Sequence, residues 1–147
     1  KGNYIRYPAI KKAQYYRLAS LVHDSWVTAM VAQIKRQKWF RWHDAGDVQS
    51  VEHMQKILEV VRQTPDTNHW LPTQERDYLP DPEEVPSNLV IRLSGSKIDG
   101  PPPAAWEHTS SVVTKDASCP APNQGGKCRE CRACWTKSIK NVSYGKH

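Results

Sequence analysis

The chain has 147 residues, a net charge of +6, 24% charged residues and 38% hydrophobic ones. That composition builds one core of ordinary size and excludes a fully disordered chain. No apolar run approaches the ~20 residues that a membrane-spanning helix needs.

Residues 9–38 read as helix. Ala13, Tyr16, Leu18, Leu21 and Val22 recur at helical spacing, as do Trp26, Val27, Met30, Val31 and Ile34. A break is expected near His23, with Asp24 or Ser25 as the second cap. The period then shortens. Trp39-Phe40-Arg41-Trp42-His43 is strand-like and stops at the turn Asp44-Ala45-Gly46-Asp47. Ser50 caps a third helix carrying Val51, Met54, Ile57, Leu58 and Val61, which Thr64-Pro65-Asp66 ends. Strands follow at His69–Leu71 and Leu89–Leu93, separated by a proline-broken crossover at 76–86, and Ser111–Thr114 adds an edge strand. Strands alternating with helices predict an α/β fold: a small parallel sheet of three to five strands, like part of a (βα) barrel, with flanking helices. Residues 1–114 form this domain. Residues 115–147 show no periodicity and form an irregular, cysteine-rich lobe. Trp39, Trp42 and Trp70, like Tyr15 and Tyr16, are expected in the core.

All four cysteines lie in that lobe. Cys119, Cys128, Cys131 and Cys134 have the spacing C-x8-C-x2-C-x2-C. Consecutive two-residue gaps bring three thiolates round one centre, and the Cys119-Pro120 turn supplies a fourth. Such runs hold iron–sulfur clusters, so the four are expected as ligands of a 4Fe–4S cluster. Zinc is the alternative, although its four-cysteine sites usually have two paired knuckles. Disulfides fit less well, because no export signal is visible. Lys127, Arg129 and Arg132 would offset thiolate charge. A metal would also fold a tail with too little apolar surface to fold itself.

A second candidate lies at the carboxyl ends of the strands, where open parallel sheets bind ligands. The first end carries His43, Asp44, Gly46 and Asp47, the second Thr73, Gln74 and Glu75, the third Ser94, Gly95 and Ser96. His43 with Asp44 or Asp47 would make an oriented imidazole able to move a proton. Gly46 would let the backbone approach a cofactor, with Thr73, Glu75 and Ser94 as further cofactor-binding groups. Capping and turn formation account equally for Asp44 and Asp47.

Phe40–Ser50, Thr64-Pro65, Trp70–Thr73, Asn88–Ser94, Cys119–Pro122, Cys131–Trp135 and Asn141–Tyr144 together resemble the phage "gene product 88" family. That family is distantly similar to radical S-adenosylmethionine proteins. The resemblance implies a partial (βα) barrel, a 4Fe–4S cluster and S-adenosylmethionine at the strand-end rim. It also implies upstream cysteines, in a portion expected to precede Lys1. Gln74 departs from the arginine of the family pattern.

Three functions compete. The first is a radical-S-adenosylmethionine-type enzyme, or a fragment of one, of unknown substrate. The second is a zinc- or cluster-stabilised binding module of a phage or mobile element. Its excess of Lys and Arg admits nucleic acid as a partner, which requires exposed aromatics interleaved with basic groups. The third is a metal-dependent hydrolase using His43, Asp44, Asp47 and Glu75. The expected location is the cytoplasm, that of the host if the gene is phage-borne. An open sheet edge would favour self-association.

Overall fold

A computed structural model describes residues 7–44 and 46–146. Ala45 of the predicted turn, the Lys1 boundary and His147 lie outside the described residues. Three helices, α1 (Pro8–Ser20), α2 (Trp26–Ile34) and α3 (Val51–Arg62), flank a single sheet. Its strands are β1 (Trp39–Arg41), β2 (Asn68–Thr73), β3 (Leu89–Ile98), β4 (Thr109–Val113) and β5 (Asn141–Gly145). They lie in the order β1-β2-β3-β4-β5, every neighbour pair parallel, and the sheet curls into a half-barrel. The predicted α/β class is therefore the fold.

Side-chain alternation along the strands splits the sheet into two faces. Leu71, Leu89 and Ile91 join Ile34, Trp42, Val48 and the buried side of α3 in the main core. That side of α3 presents His53, Met54, Ile57, Leu58, Val60 and Val61. Ser50 starts the helix as predicted, its hydroxyl accepting from the His53 amide at 3.1 Å. Asn88 ties the end of α3 to the sheet, donating to the carbonyls of Val61, Thr64 and Thr67 at 3.0–3.2 Å. On the opposite face, Trp70 of β2 and Val142 of β5 pack with Cys134. The cysteine-rich segment thus lies over this second face, its 3-10 turn Ala133–Trp135 resting on β2 and β3.

Several expectations change in three dimensions. The tail is irregular through two 3-10 turns, yet its last residues form β5, a strand too short and too polar to show a period. Ser111–Thr114 was expected at an edge. Its strand, β4, instead runs between β3 and β5. Ser25 precedes α2 with no side-chain cap bond. Tyr15 and Tyr16 are 62% and 65% exposed, because α1 buries no residue at all. Their apolar spacing followed a helix that never meets the core.

Two core histidines make the fold acid-sensitive. His69 is fully buried, its Nε2 2.9 Å from the Thr64 hydroxyl, and burial lowers its pKa to about 4. His53 is also lowered to about 4, by burial first and then by the charges of His43 and Lys56. Both rings stay neutral in the fold but gain protons in the unfolded chain below 6.5. Stability is full above that value and falls as pH drops toward about 4, each ring contributing up to ~1.4 kcal/mol per pH unit. Urea midpoints measured from about pH 7 to about pH 5 should decline steadily. A constant midpoint would show that neither ring is buried as described.

Candidate functional site

All four cysteines border one cavity. Cys119, Cys128, Cys131 and Cys134 line one small cavity with Pro120, Ala133 and Val142. Its volume is about 10 Å³, room for one water-sized occupant. Backbone bonds set the cysteines around it. The Cys119 amide donates to the Ser143 carbonyl of β5 at 3.0 Å. The Cys131 amide donates to Cys128 at 2.9 Å, closing the turn that separates them. Left-handed backbone at Gly125 and Gly126 reverses the chain before that turn. Trp135 donates its indole N–H to the Phe40 carbonyl at 3.0 Å and pins the lobe to β1. All four thiols are free of disulfides. Among the described residues no three His, Cys, Asp or Glu side chains are already drawn together as a metal-holding group.

The sequence reading missed the residue beneath this cavity. Arg92, in the middle of β3, is fully buried. Its Nε donates to the Cys134 carbonyl at 2.9 Å. Nη1 reaches the carbonyls of Thr109 and Lys140, and Nη2 those of Ala133, Thr136 and Ile139, at 2.8–3.3 Å. Among the described residues no carboxylate pairs with it. Burial lowers its pKa, while the nearby Cys134 and Tyr144 raise it. The signal was present in the sequence: a lone cation at an interior position of the apolar run Leu89-Val90-Ile91-Arg92-Leu93. Such a residue is rarely fully buried unless its donors are matched.

Burial raises the Cys134 thiol, against its bond to the Tyr144 hydroxyl at 3.2 Å and the charge of Arg92, which both lower it. Burial likewise raises Tyr144. Of the basic residues expected to offset thiolate charge, Arg132 has its contacts defined. Arg132 lies over the Trp39 ring at 5.2 Å and bonds the carbonyls of Arg129 and Cys131.

At the strand ends, two of the three predicted sets meet. One Asp47 carboxylate oxygen accepts from the Thr73 hydroxyl at 2.6 Å and the Val48 amide at 2.8 Å, and the other accepts from the Gln74 amide at 2.8 Å. Asp47 therefore ties the loop between β1 and α3 to the end of β2. Thr73 in turn accepts from the Glu75 amide at 3.1 Å, while the Glu75 side chain is exposed. His43 adopts a left-handed backbone with φ 51° and stands edge-on to His53, ring centroids 5.5 Å apart. Burial lowers its pKa, against the nearby Asp47, which raises it. Asp44 and Gly46 line a larger cavity of about 1140 Å³ between α1, α2 and this rim. The third set does not join them. β3 runs on to Ile98, so Ser94 lies within the strand and bonds Ser110 of β4 at 3.0 Å. Asp47→Ala should lower stability by roughly 2 kcal/mol, as expected when bonds to a charged acceptor are lost. An unchanged unfolding midpoint would free Asp47 for a purely chemical role.

Residues 1–137 match the family described as gene product 88. The chain belongs to the gene product 88 family, a family of phage proteins. No curated protein and no solved structure matches it. The further likeness to radical S-adenosylmethionine proteins is not supported. Among the described residues no helix is long and apolar enough to cross a membrane.

Proposed function

We propose that this member of the gene product 88 family is a metalloprotein whose centre is held by Cys119, Cys128, Cys131 and Cys134. That all four cysteines border one cavity carries this reading. An all-sulfur donor set selects iron–sulfur clusters or zinc over harder ions. Four thiolates leave either centre with net negative charge, and Arg92 beneath it supplies a fixed positive one. The three cysteines at two-residue gaps favour a 4Fe–4S cluster, which supplies one-electron transfer when bound. The small cavity volume favours a single ion, which makes structural zinc the second reading.

The enzymatic form of this reading is a radical-S-adenosylmethionine-type reaction on a substrate still to be found. Its cofactor would occupy the rim at His43, Gly46, Asp47 and Thr73. The other form is a binding module in which the metal only secures the lobe. Metal and sulfide analysis of anaerobically purified protein separates them. Iron and sulfide near about four per chain, with absorption near ~400 nm that bleaches on reduction, support the cluster. S-adenosylmethionine titrated into that protein then tests the enzymatic form. One zinc per chain without colour supports the structural centre. Protein that binds neither metal after reconstitution overturns the proposal.

A further inference from the structure

Helix α1 is unusual in having nothing to bury. None of its 13 residues is buried, yet it carries large rings and cations. Lys11, Lys12 and Arg17 are exposed, and the helix holds no Asp or Glu. Tyr7, just before it, is 59% exposed, and Tyr15 and Tyr16 more so. The cations and rings interleave at helical spacing. Lys11 is four residues from Tyr15, and Lys12 four from Tyr16, whose ring lies 5.6 Å from the Lys12 ammonium. A solvated helix face would normally carry small or charged residues without three exposed rings.

The same helix forms one wall of the 1140 Å³ cavity. Lys11, Tyr15 and Arg17 line it from α1, facing Trp26, Arg41 and Trp42. Asp44 and Asp47 also border it. The Asp47 oxygens are already engaged by Val48, Thr73 and Gln74.

We propose that α1 and the cavity beside it bind single-stranded nucleic acid. Three cations on a helix without acids attract a polyphosphate backbone, in keeping with the net charge of +6. Exposed tyrosines offer π-faces on which unpaired bases stack without regard to sequence. Duplex bases are already stacked and hidden, so this ring surface favours single strands. The cavity, with its aromatic and basic walls, has room for an unstacked base. The site is distinct from the cysteine cavity, which shares no lining residue with it.

The test is fluorescence anisotropy of a labelled mixed-sequence DNA or RNA strand of about 20 nucleotides, titrated with the full chain at several salt concentrations. The wild type should bind, and affinity should fall steeply with salt. Replacing Lys11, Lys12 and Arg17 together with alanine should flatten the log–log salt slope by about 2, at ~0.7 per phosphate contact. Replacing Tyr15 and Tyr16 with alanine should weaken binding at least about tenfold while leaving the slope unchanged. Neither variant touches a buried residue, so thermal melts should match the wild type. Absent binding at low salt, a flat salt response, or affinity unmoved by both variants overturns the proposal. Tighter binding to duplex overturns the preference for single strands. Loss of self-association in the tyrosine variant, with no nucleic-acid binding by either form, would assign the surface to a second copy of the chain instead.

Discussion

Arg92→Met lowers the stability of this protein by roughly 3–5 kcal/mol, which urea unfolding will register as a large drop in midpoint. The side chain is fully buried and serves six backbone carbonyls, five of them in the segment from Ala133 to Lys140. Each buried acceptor left without a donor costs about 1–3 kcal/mol. Some regain water when the lobe loosens, so the total is smaller than the sum. A folded domain has only about 5–15 kcal/mol to lose. Arg92→Lys separates charge from geometry. Lysine keeps the positive charge but has three donors in place of the planar five-donor fork, and it cannot reach carbonyls on both sides. It should recover part of the stability and not all. If both variants unfold at the wild-type midpoint, Arg92 does not hold the lobe.

The second large effect is on metal content. Cys128→Ser should abolish stoichiometric binding at the proposed centre, with affinity falling by at least about 100-fold. Changes to groups that merely support a ligand already cost about 10–100-fold. Cys128 is the informative choice because it is exposed, whereas Cys134 is buried against Tyr144. Serine at 128 leaves the metal-free fold nearly untouched, so any loss reports the ligand and not the core. Released from its centre, the segment between Cys119 and Cys134 should become the first site of proteolysis, while helix and sheet signals persist. A Cys128→Ser protein that keeps its full metal complement would make Cys128 an ordinary surface thiol.

The two predictions address different halves of one arrangement. Arg92 holds the carbonyls of the lobe from below, and the cysteines close it from above. An apolar substitute for Arg92 would remove both the donors and the positive charge facing the thiols. The lobe's own apolar contacts are few: Cys134 and Val142 pack with Trp70, joined by the partly buried Cys119, Ala133, Trp135 and Tyr144. A polar anchor on one side and the proposed metal on the other would together secure the lobe.

Much of the main domain was legible along the chain. The apolar stripe of α3, its Ser50 cap, and the apolar runs of β2 and β3 follow from periodicity, since each buries a face against the same core. Alternation of strands and helices was enough for the parallel sheet. The strand-end site was half legible. Asp47 and Thr73 do meet, but as a tie between the loop after β1 and the end of β2. Ser94 was misplaced because a polar residue in a curled sheet can sit mid-strand when a neighbouring strand offers it a partner, as Ser110 does. Tyr15 and Tyr16 were misread because helical spacing shows which side chains share a face and not whether anything covers it.

By itself the sequence determined the family, the α/β class, the helix starts and the grouping of the cysteines, all properties of short-range pattern and spacing. Only the tertiary structure decided which face of the sheet the cysteine lobe covers, that its final residues add β5, and that Arg92 lies beneath it. It also decided that α1 stands uncovered. These depend on contacts between residues far apart in the chain. Arg92 reaches carbonyls 17 to 48 positions away, and no local period encodes where such a guanidinium finds its acceptors.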